Sequence, residues 1–360
     1  MVNKEDKINK LYNELLVKLE SIDKNIDLVK KAFEFAYFHH KDQKRISGEP
    51  YIIHPLETAL ILSEYYMDAT TISAALLHDV VEDTNVKIED IYSKFGKEIG
   101  FLVESLTKLQ KITSFIDKGI LDSKNKDLTL LNLKRLFVST SRDIRVIIIK
   151  LADRLHNLRT IGFLPPEKQK KIALETLEFY VPISQKLGIW KIKSEMEDIA
   201  FQIHDPQTYN TIKSYIEQTA KQIESNYHEM IEILEKKLKE HQIKATLQNR
   251  IKTVYSVYNK MVKRKVPLDE ILDIGAVRVI VDEVKDCYVV LGVIHNLWIP
   301  IPDRIKDYIA KPKPNGYQSL HTVVYNGYPI EFQIRTWNMH YTAEFGVASH
   351  WKYKGVQSLV

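Results

Sequence analysis

Hydrophobic residues recur at three- and four-residue spacing through most of the first half of the chain, from Lys4 to about Glu197. Leu28, Ala32 and Phe35 show the pattern, which is that of one buried face of an α-helix. Prolines stand at the interruptions between such stretches, where helices commonly begin or end. The pattern predicts an all-helical first domain.

The spacing changes after a long polar stretch in the middle of the chain. Residues 209–241 are rich in Lys, Glu and Gln with few apolar positions, and we expect an exposed helical connector there. Beyond it, four short segments are β-branched or alternate between apolar and polar residues, as strands do: Lys244–Leu247, Ile274–Val281, Leu320–Tyr325 and Ile330–Ile334. We therefore predict a multidomain protein, with a helical domain at 1–197 and a mixed α/β domain at 198–360.

Composition narrows the chemistry that the chain can carry. Charged residues make up 28% and hydrophobic ones 44% of its 360 residues, which is typical of a folded globular protein. The only cysteine, Cys287, excludes an internal disulfide and a thiolate metal cluster, so any metal must be held by His and carboxylates. The charged N-terminus and the short apolar runs predict no export signal and no membrane span, and we expect a cytoplasmic protein.

Histidines and acids in the first half form a candidate hydrolytic centre. In a helix, residues four apart share a face, so Glu82 is expected beside His78 and Asp83 beside Asp79. Asp153 repeats this logic, with Asn157 one turn and Thr160 two turns further on, and His54 follows a turn at a helix start. We predict that the metal ligands are His54, His78, Asp79 and Asp153.

Two imidazoles and two carboxylates, with further acids near a metal-bound water, are the layout of metal-assisted hydrolysis. Such ligands fit Mn²⁺, Fe²⁺ or Zn²⁺, and the absence of cysteine ligands weakens the case for zinc, so we favour Mn²⁺. An isolated His-Asp pair is more often a surface accident. Here four candidates occur together in apolar helical surroundings.

The motifs around these residues resemble the HD-type hydrolase domain of long RelA/SpoT alarmone enzymes. The segments Arg45–Pro55, His78–Thr84 and Leu151–Asn157 carry the resemblance. It implies that Glu82 and Asp83 orient or activate the attacking water. It also implies that the guanine nucleotide contacts Arg45, Ser47, Asn157 and Thr160. Ile46 stands where the family often has Lys, which removes one nucleotide contact.

Basic and acidic residues in the second half suggest a phosphate site. We predict that Asn249–Lys252 opens a helix, which would place cations at an anion-binding helix N-terminus. Asp273 precedes one predicted strand and Glu331 lies on another, so the two acids could hold Mg²⁺ against triphosphate oxygens. The turn-rich loop Lys311–His321 adds cations and amides, with Tyr317 placed to stack on a base.

These segments resemble the RelA/SpoT synthetase domain, which has a mixed β-sheet of nucleotidyltransferase type. The resemblance implies Mg²⁺ ligation by Asp273 and Glu331, with Glu331 also deprotonating the 3′-hydroxyl of GDP or GTP. Asn249 and Thr253 replace a usual Gly and His. The expected nucleotide contacts are Arg250, Lys252, Lys260, Arg278, Lys306, Lys313, Asn315, Tyr317, Gln318 and His321.

The resemblance as a whole implies a bifunctional enzyme of the stringent response. One half would transfer pyrophosphate from ATP to GDP or GTP, and the other would remove it from (p)ppGpp. The motif Arg304–Asp307 matches bifunctional members. The alternatives are a single-activity member whose other domain is regulatory, and a ribosome- or RNA-binding module suggested by the basic stretches. We expect ribosome binding only through C-terminal regulatory domains absent from this chain, and no membrane partner.

Overall fold

The chain forms two compact units. A computed structural model describes residues 4–23, 25–117, 143–271 and 274–349. The first unit comprises the described chain as far as Ser184 together with the last two described residues, and the second is Gln185–Val347. The functional boundary that we predicted after residue 197 stays a prediction. Asp273 lies outside the described residues.

The described part of the first unit is helical, which confirms the helical prediction. An isolated β-bridge joins Lys44 to Pro50, and Gly96 kinks the sixth helix with a φ of 84°. A 3₁₀ turn follows at Ile161–Phe163 and a π-helical turn at Thr176–Tyr180. The α-helices are Lys4–Glu20, Ile26–His40, Ile53–Ser63, Ala69–Leu77, Val80–Asp83, Ile88–Asp117, Ile144–Arg159, Pro166–Glu175 and Val181–Leu187.

Two strongly buried helices form the centre of this unit. In Ile53–Ser63 every residue except Glu57 is buried, and in Ile144–Arg159 the run from Val146 to Asp153 is buried throughout. A helix that is apolar around most of its circumference must lie inside the fold. Polar residues on these helices are therefore carried into the interior, where they need partners.

The second unit combines helices with one mixed sheet, as predicted. Its helices are Trp190–His204, Pro206–Glu240, Val254–Arg264, Val284–Leu297 and Trp337–Phe345. Its strands are β1 (Ala245–Ile251), β2 (Gly275–Val281), β3 (Ile299–Pro300), β4 (Lys306–Asp307), β5 (Leu320–Asn326) and β6 (Tyr328–Thr336). The strand order is β1-β2-β6-β5-β3, with β4 beside β5. The β2–β6 pair is parallel and the other pairs are antiparallel.

The prediction that Asn249–Lys252 opens a helix is wrong. Strand β1 runs to Ile251 and pairs Arg250 with Ala276 of β2, so the sheet takes up these backbone groups. The helix begins at Val254, after the N-cap residue Thr253, whose hydroxyl accepts from the Ser256 N–H at 3.4 Å. The cations of this segment thus lie on and after a strand, ahead of the helix.

The helix Pro206–Glu240 exists as predicted, but it is not an exposed connector. Tyr227, Met230, Leu234 and Leu238 are buried in one hydrophobic cluster with the sheet residues of this unit. Their spacing of three and four residues forms a stripe one side chain wide. Such a narrow stripe leaves most positions polar, and the composition therefore concealed its role in the core.

None of the described helices is both long enough and apolar enough to cross a membrane.

Candidate functional site

The helical unit brings His54, His78 and Asp79 together. His54 lies in the first turn of the helix Ile53–Ser63, and His78 and Asp79 follow directly after the helix Ala69–Leu77. One ligand atom from each of the three residues lies within 4.8 Å of the other two. His78 Nε2 is 3.1 Å from Asp79 Oδ1, and His54 Nε2 is 3.5 Å from Asp79 Oδ2.

Asp153 joins this cluster from the helix Ile144–Arg159. Its Oδ1 lies 3.2 Å from His54 Nε2, and its Oδ2 accepts from Lys150 Nζ at 2.7 Å. Asn157, one turn further on, donates to Oδ1 at 2.6 Å. The four residues predicted as metal ligands therefore meet in space, although they come from three separate segments of the chain.

We expected one unbroken helix through His78–Asp83, but the structure has an interruption there. The helix ends at Leu77, and a short helix begins at Val80. An unbroken helix would pair the Ala75 carbonyl with the Asp79 N–H, whereas here this carbonyl accepts from His78 Nδ1 at 2.7 Å. The interruption thus frees a backbone acceptor that orients the imidazole.

The arrangement around His78 fits a bound cation. Because Nδ1 donates to a carbonyl, Nε2 of the neutral ring carries a lone pair. This nitrogen is buried without a hydrogen-bond partner among the described residues, and it faces a carboxylate oxygen of Asp79. Two electron-rich atoms 3.1 Å apart are stabilised by a cation between them, and mixed N and O ligands suit a divalent transition metal.

Two further acids lie near this cluster. The Tyr51 hydroxyl is 2.9 Å from Asp79 Oδ2 and 2.6 Å from Asp83 Oδ2, so it can hold either carboxylate in place. Burial, together with the charges of Asp79 and Asp83, raises the pKa of Glu82 to about 7 despite the opposing charge of Lys150. A carboxyl group that titrates near neutrality can exchange a proton with water.

A cleft of about 260 Å³ opens beside Asp153 and contains all four predicted nucleotide contacts of this unit. Arg45 Nη2 donates to Asn157 Oδ1 at 2.6 Å, so these two residues lie side by side. The predicted contacts that line the cleft are Arg45, Ser47, Asn157 and Thr160. Lys150 and Arg154, which we did not predict, also line it. The cations make it suitable for a polyanion.

In the sheet unit, Glu331 of β6 lies between two basic groups. Lys252 Nζ is 2.9 Å from Oε2, and His321 Nδ1 donates to Oε1 at 2.8 Å. Burial raises the pKa of Glu331, but these two partners outweigh it and hold the pKa well below its ordinary value. The carboxylate is therefore ionised, as a metal ligand must be. Its predicted partner Asp273 is outside the described residues.

The predicted nucleotide-binding loop converges on the same carboxylate. The Tyr317 hydroxyl lies 2.7 Å from His321 Nε2. In a neutral ring this nitrogen accepts, because the one ring proton is on Nδ1, which donates to Glu331. The Lys313 ammonium lies over the rings of Tyr308 and Tyr317, 4.3 and 4.7 Å from their centroids. A base can stack on that face of Tyr317 only after Lys313 moves away.

Two buried arginines stand beside this loop, and one of them was missed by our sequence analysis. Arg278 of β2 and Arg335 of β6 share Glu344, with Nη2 of each at 2.9 and 3.3 Å from its Oε1. Burial and Arg335 lower the pKa of Arg278 to about 10. The Nε of each has no partner in the described part of the chain. The sequence did carry a signal, since Arg335 alternates with Glu331 along one strand.

The remaining predicted contacts are more scattered. A cleft of about 440 Å³ is lined by Arg250, Arg278 and Glu344 together with Asn249. Lys306 pairs with His321 across β4 and β5, and Lys260 lies on the helix Val254–Arg264. Asn315 Oδ1 accepts from the Tyr317 N–H at 3.3 Å, and Gln318 donates to the Ile309 carbonyl at 3.2 Å. The side chains of Asn315 and Gln318 thus hold the conformation of the loop.

Both halves of the chain match known protein families. Residues 32–190 match the HD domain family, and residues 249–358 match the region found in RelA/SpoT proteins. The chain is 45% identical over 91% of its length to a guanosine-3′,5′-bis(diphosphate) 3′-pyrophosphohydrolase of Aquifex aeolicus. It is 44% identical, again over 91%, to the bifunctional (p)ppGpp synthase/hydrolase SpoT of Escherichia coli.

The chain spans slightly under half of these two relatives, 46% of each. Among solved structures, a metazoan ortholog of SpoT that hydrolyses ppGpp is 26% identical over 49% of this chain and 96% of that one, with a TM-score of 0.38. With an HD domain followed by the RelA/SpoT region, and with close sequence similarity over nine-tenths of its length, the chain belongs to the RelA/SpoT family.

Proposed function

We propose that this chain is a bifunctional alarmone enzyme. The helical unit removes the 3′-pyrophosphate of (p)ppGpp, and the sheet unit transfers pyrophosphate from ATP to the 3′-hydroxyl of GDP or GTP. The observation that carries the proposal is that each unit holds ionised carboxylates beside cations. The helical unit has Asp79 and Asp153 together with His54 and His78, and the sheet unit has Glu331 bonded to Lys252 and His321. The names of the relatives include both activities.

In the hydrolase centre, His54, His78, Asp79 and Asp153 would hold a divalent cation, which we propose to be Mn²⁺. When bound, the cation supplies Lewis acidity to the reacting phosphate and water. Arg45, Lys150 and Arg154 line the cleft and balance the charge of the diphosphate. Glu82 accepts the proton of the attacking water. Tyr51 donates a hydrogen bond to the carboxylate of Asp83 and so holds that carboxylate beside Glu82.

In the synthetase centre, we propose that Asp273 and Glu331 bind Mg²⁺ and that cationic side chains hold the phosphates of the two nucleotides. The proposed phosphate ligands are Arg250, Lys252, Lys260, Lys306 and Lys313. The buried guanidinium groups of Arg278 and Arg335 add positive charge that attracts anions. Tyr317 would stack on guanine. Positive charge at these positions stabilises the transferring pyrophosphoryl group.

Glu331 poses a specific problem for its proposed second role as a base. With Lys252 and His321 bonded to it, its pKa is too low for efficient proton abstraction. A triphosphate that draws Lys252 away would remove one of these two contacts and raise the basicity of the carboxylate. Substrate binding would thus itself prepare the base.

The test is to inactivate each centre alone in the full chain. His78→Ala should lower (p)ppGpp hydrolysis by at least about 10³-fold and leave synthesis within twofold, and Glu331→Gln should do the reverse. Asp273→Ala should behave as Glu331→Gln does. A wild-type chain with only one of the reactions would instead support a single-activity enzyme. If either variant left both reactions unchanged, the assignment of its site would be wrong.

A further inference from the structure

A buried hydrogen-bond chain connects the nucleotide cleft of the helical unit to the metal cluster. Arg45 Nη1 lies 3.2 Å from His156 Nδ1, and the same His156 nitrogen lies 2.6 Å from His54 Nδ1. Both histidines are almost completely buried, with 2% and 4% of their surfaces exposed. His156 does not belong to the proposed ligand set.

The donors in this chain follow from elementary chemistry. A guanidinium has N–H donors and no acceptor, so His156 Nδ1 must carry a lone pair where it meets Arg45. The hydrogen between the two imidazoles must then belong to His54 Nδ1. A neutral His54 with its proton on Nδ1 has its free lone pair on Nε2, which is the atom 3.2 Å from Asp153 Oδ1 and 3.5 Å from Asp79 Oδ2.

We propose that His156 is a positioning residue, which selects the metal-binding tautomer of His54 and links it to Arg45. The proposal rests on the function inferred above for the helical unit. Without the acceptor at His156, the Nδ1 proton of His54 would be buried and unpaired, and the opposite tautomer would become competitive. That tautomer has a proton on Nε2 and cannot ligate a cation through this atom.

Arg45 has a second role in this arrangement. Its guanidinium, which the nucleotide is expected to contact, also keeps His156 Nδ1 in the acceptor state. Arg45→Met should therefore weaken Mn²⁺ binding in the absence of any nucleotide, although less than a change at His156 does, because either tautomer of His156 is then allowed.

The experiment is calorimetric titration of the metal-free full chain with Mn²⁺, without nucleotide. The binding that His78→Ala abolishes defines the site. His156→Leu should weaken it by about 10- to 100-fold, which is the usual effect of losing the partner of a metal-bound histidine. His156→Asn can place its carboxamide oxygen close to the Nδ1 position and should retain affinity within about threefold. His228→Leu, which changes an exposed histidine of the other unit, should have no effect.

Folding of the helical unit is monitored by thermal unfolding, and pyrophosphate transfer, which depends on the other unit, shows that the rest of the chain is intact. Wild-type affinity in His156→Leu would overturn the proposal. Equal losses in the Leu and Asn variants would also overturn it, since they would show that shape rather than the acceptor matters. If His156→Leu does not fold, ¹⁵N spectra of histidine-labelled wild type show which nitrogen of His54 carries the proton. A proton on Nε2 of His54 in the metal-free protein would overturn the proposal.

Failure of the proposed function would look different from failure of this inference. If wild type and His78→Ala bound Mn²⁺ equally, there would be no metal centre at this cluster. If His78→Ala lost binding and His156→Leu kept it, the metal centre would stand and only the role of His156 would be refuted.

Discussion

At the scale of single residues, the two histidines of the proposed metal cluster are oriented by partners of different kinds. His78 donates to the Ala75 carbonyl, a backbone group that substitution cannot remove. His54 instead depends on the side chain of His156. The cluster therefore has one imidazole oriented by the fold and one oriented by a replaceable side chain. If the cluster binds a metal as we propose, a substitution at the second position should change metal affinity without replacing a ligand.

The raised pKa of Glu82 leads to a prediction about stability in the metal-free chain. Its folded value of about 7 exceeds the ordinary 4.5, so folding favours the protonated acid. The stabilisation is complete below the ordinary value and is lost as the pH rises through about 7. Wild type should therefore lose more thermal stability between about pH 5 and about pH 8 than Glu82→Gln, whose amide does not titrate.

This prediction is measured by thermal unfolding in the presence of a chelator. The two proteins differ only at position 82, so the difference between the two pH profiles reports the loss of the titrating carboxyl of Glu82. Parallel profiles would mean that Glu82 has an ordinary pKa in the folded chain.

We expect the buried Arg335 to contribute to nucleotide binding and to add little to the free energy of unfolding. Its neighbour Arg278 already pairs with Glu344, and the two guanidiniums repel each other. Removing one partner of a buried ion pair is costly where it leaves the other charge uncompensated, but Glu344 keeps Arg278 as its partner when Arg335 is replaced. Arg335→Met should therefore change the free energy of unfolding by less than about 1 kcal/mol and lower synthesis at least tenfold.

The control for this variant is Arg264→Met, at an exposed position at the end of a helix, which should change neither property. Urea unfolding and a synthesis assay with labelled ATP provide the two measurements. A loss of several kcal/mol with unchanged turnover would show that Arg335 is structural.

The sequence singled out four residues that the fold brings together, but it did not reveal the contacts between them. His54, His78, Asp79 and Asp153 stand in short motifs with helical spacing, which local reasoning can detect. His156 lies near Asp153 in the chain, yet its partner His54 is 102 residues away, and no periodicity reveals such a pairing. For Arg335 the alternation with Glu331 was visible in the sequence, but its pairing with Glu344 on a different element was not.

At the scale of elements, strands were easier to predict than the boundaries between strand and helix. The four predicted strands lie on β1, β2, β5 and β6, because β-branched alternation is a strong local signal. The segment Asn249–Ile251 has no such alternation, and only its pairing with β2 makes it part of a strand. Tertiary pairing decides the structure where local propensity is weak.

The helix Pro206–Glu240 gives a prediction that tests its role in the core. Met230 is fully buried against the sheet cluster, so Met230→Ala removes contacts and leaves a cavity. The expected cost is about 2–5 kcal/mol of unfolding free energy, together with loss of synthesis and retention of hydrolysis. The matched control Glu229→Ala, at the adjacent exposed position, should change stability by less than about 0.5 kcal/mol.

Urea unfolding monitored by circular dichroism, with the two activities assayed separately in native buffer, checks this prediction. If Met230→Ala and Glu229→Ala were equally stable, the helix would be an exposed connector after all, as its composition suggests.

At the scale of the whole molecule, the proposed activities oppose each other, because together they would only hydrolyse ATP. Sequence motifs and the geometry of each centre describe the two reactions separately, and neither determines how one responds to the other. A response requires that a ligand of one centre binds two conformational states with different affinity. It is therefore a quantity to be measured between the sites.

We predict that nucleotides bound at the synthetase centre disfavour hydrolysis. A non-reactive ATP analogue together with GDP, at saturating concentrations, should reduce hydrolysis of subsaturating (p)ppGpp by about 5- to 150-fold, the usual range by which coupling between sites changes an affinity. In Arg335→Met, which we expect to bind these nucleotides weakly, the same inhibition should need higher concentrations of the ATP analogue and GDP.

Coupling of binding is reciprocal. A non-hydrolysable alarmone analogue at the hydrolase centre should therefore weaken binding of the ATP analogue, and the ATP analogue should weaken binding of the alarmone analogue by the same factor. Unchanged hydrolysis at saturating nucleotide, with binding of both nucleotides verified by calorimetry, would show that the two centres act independently.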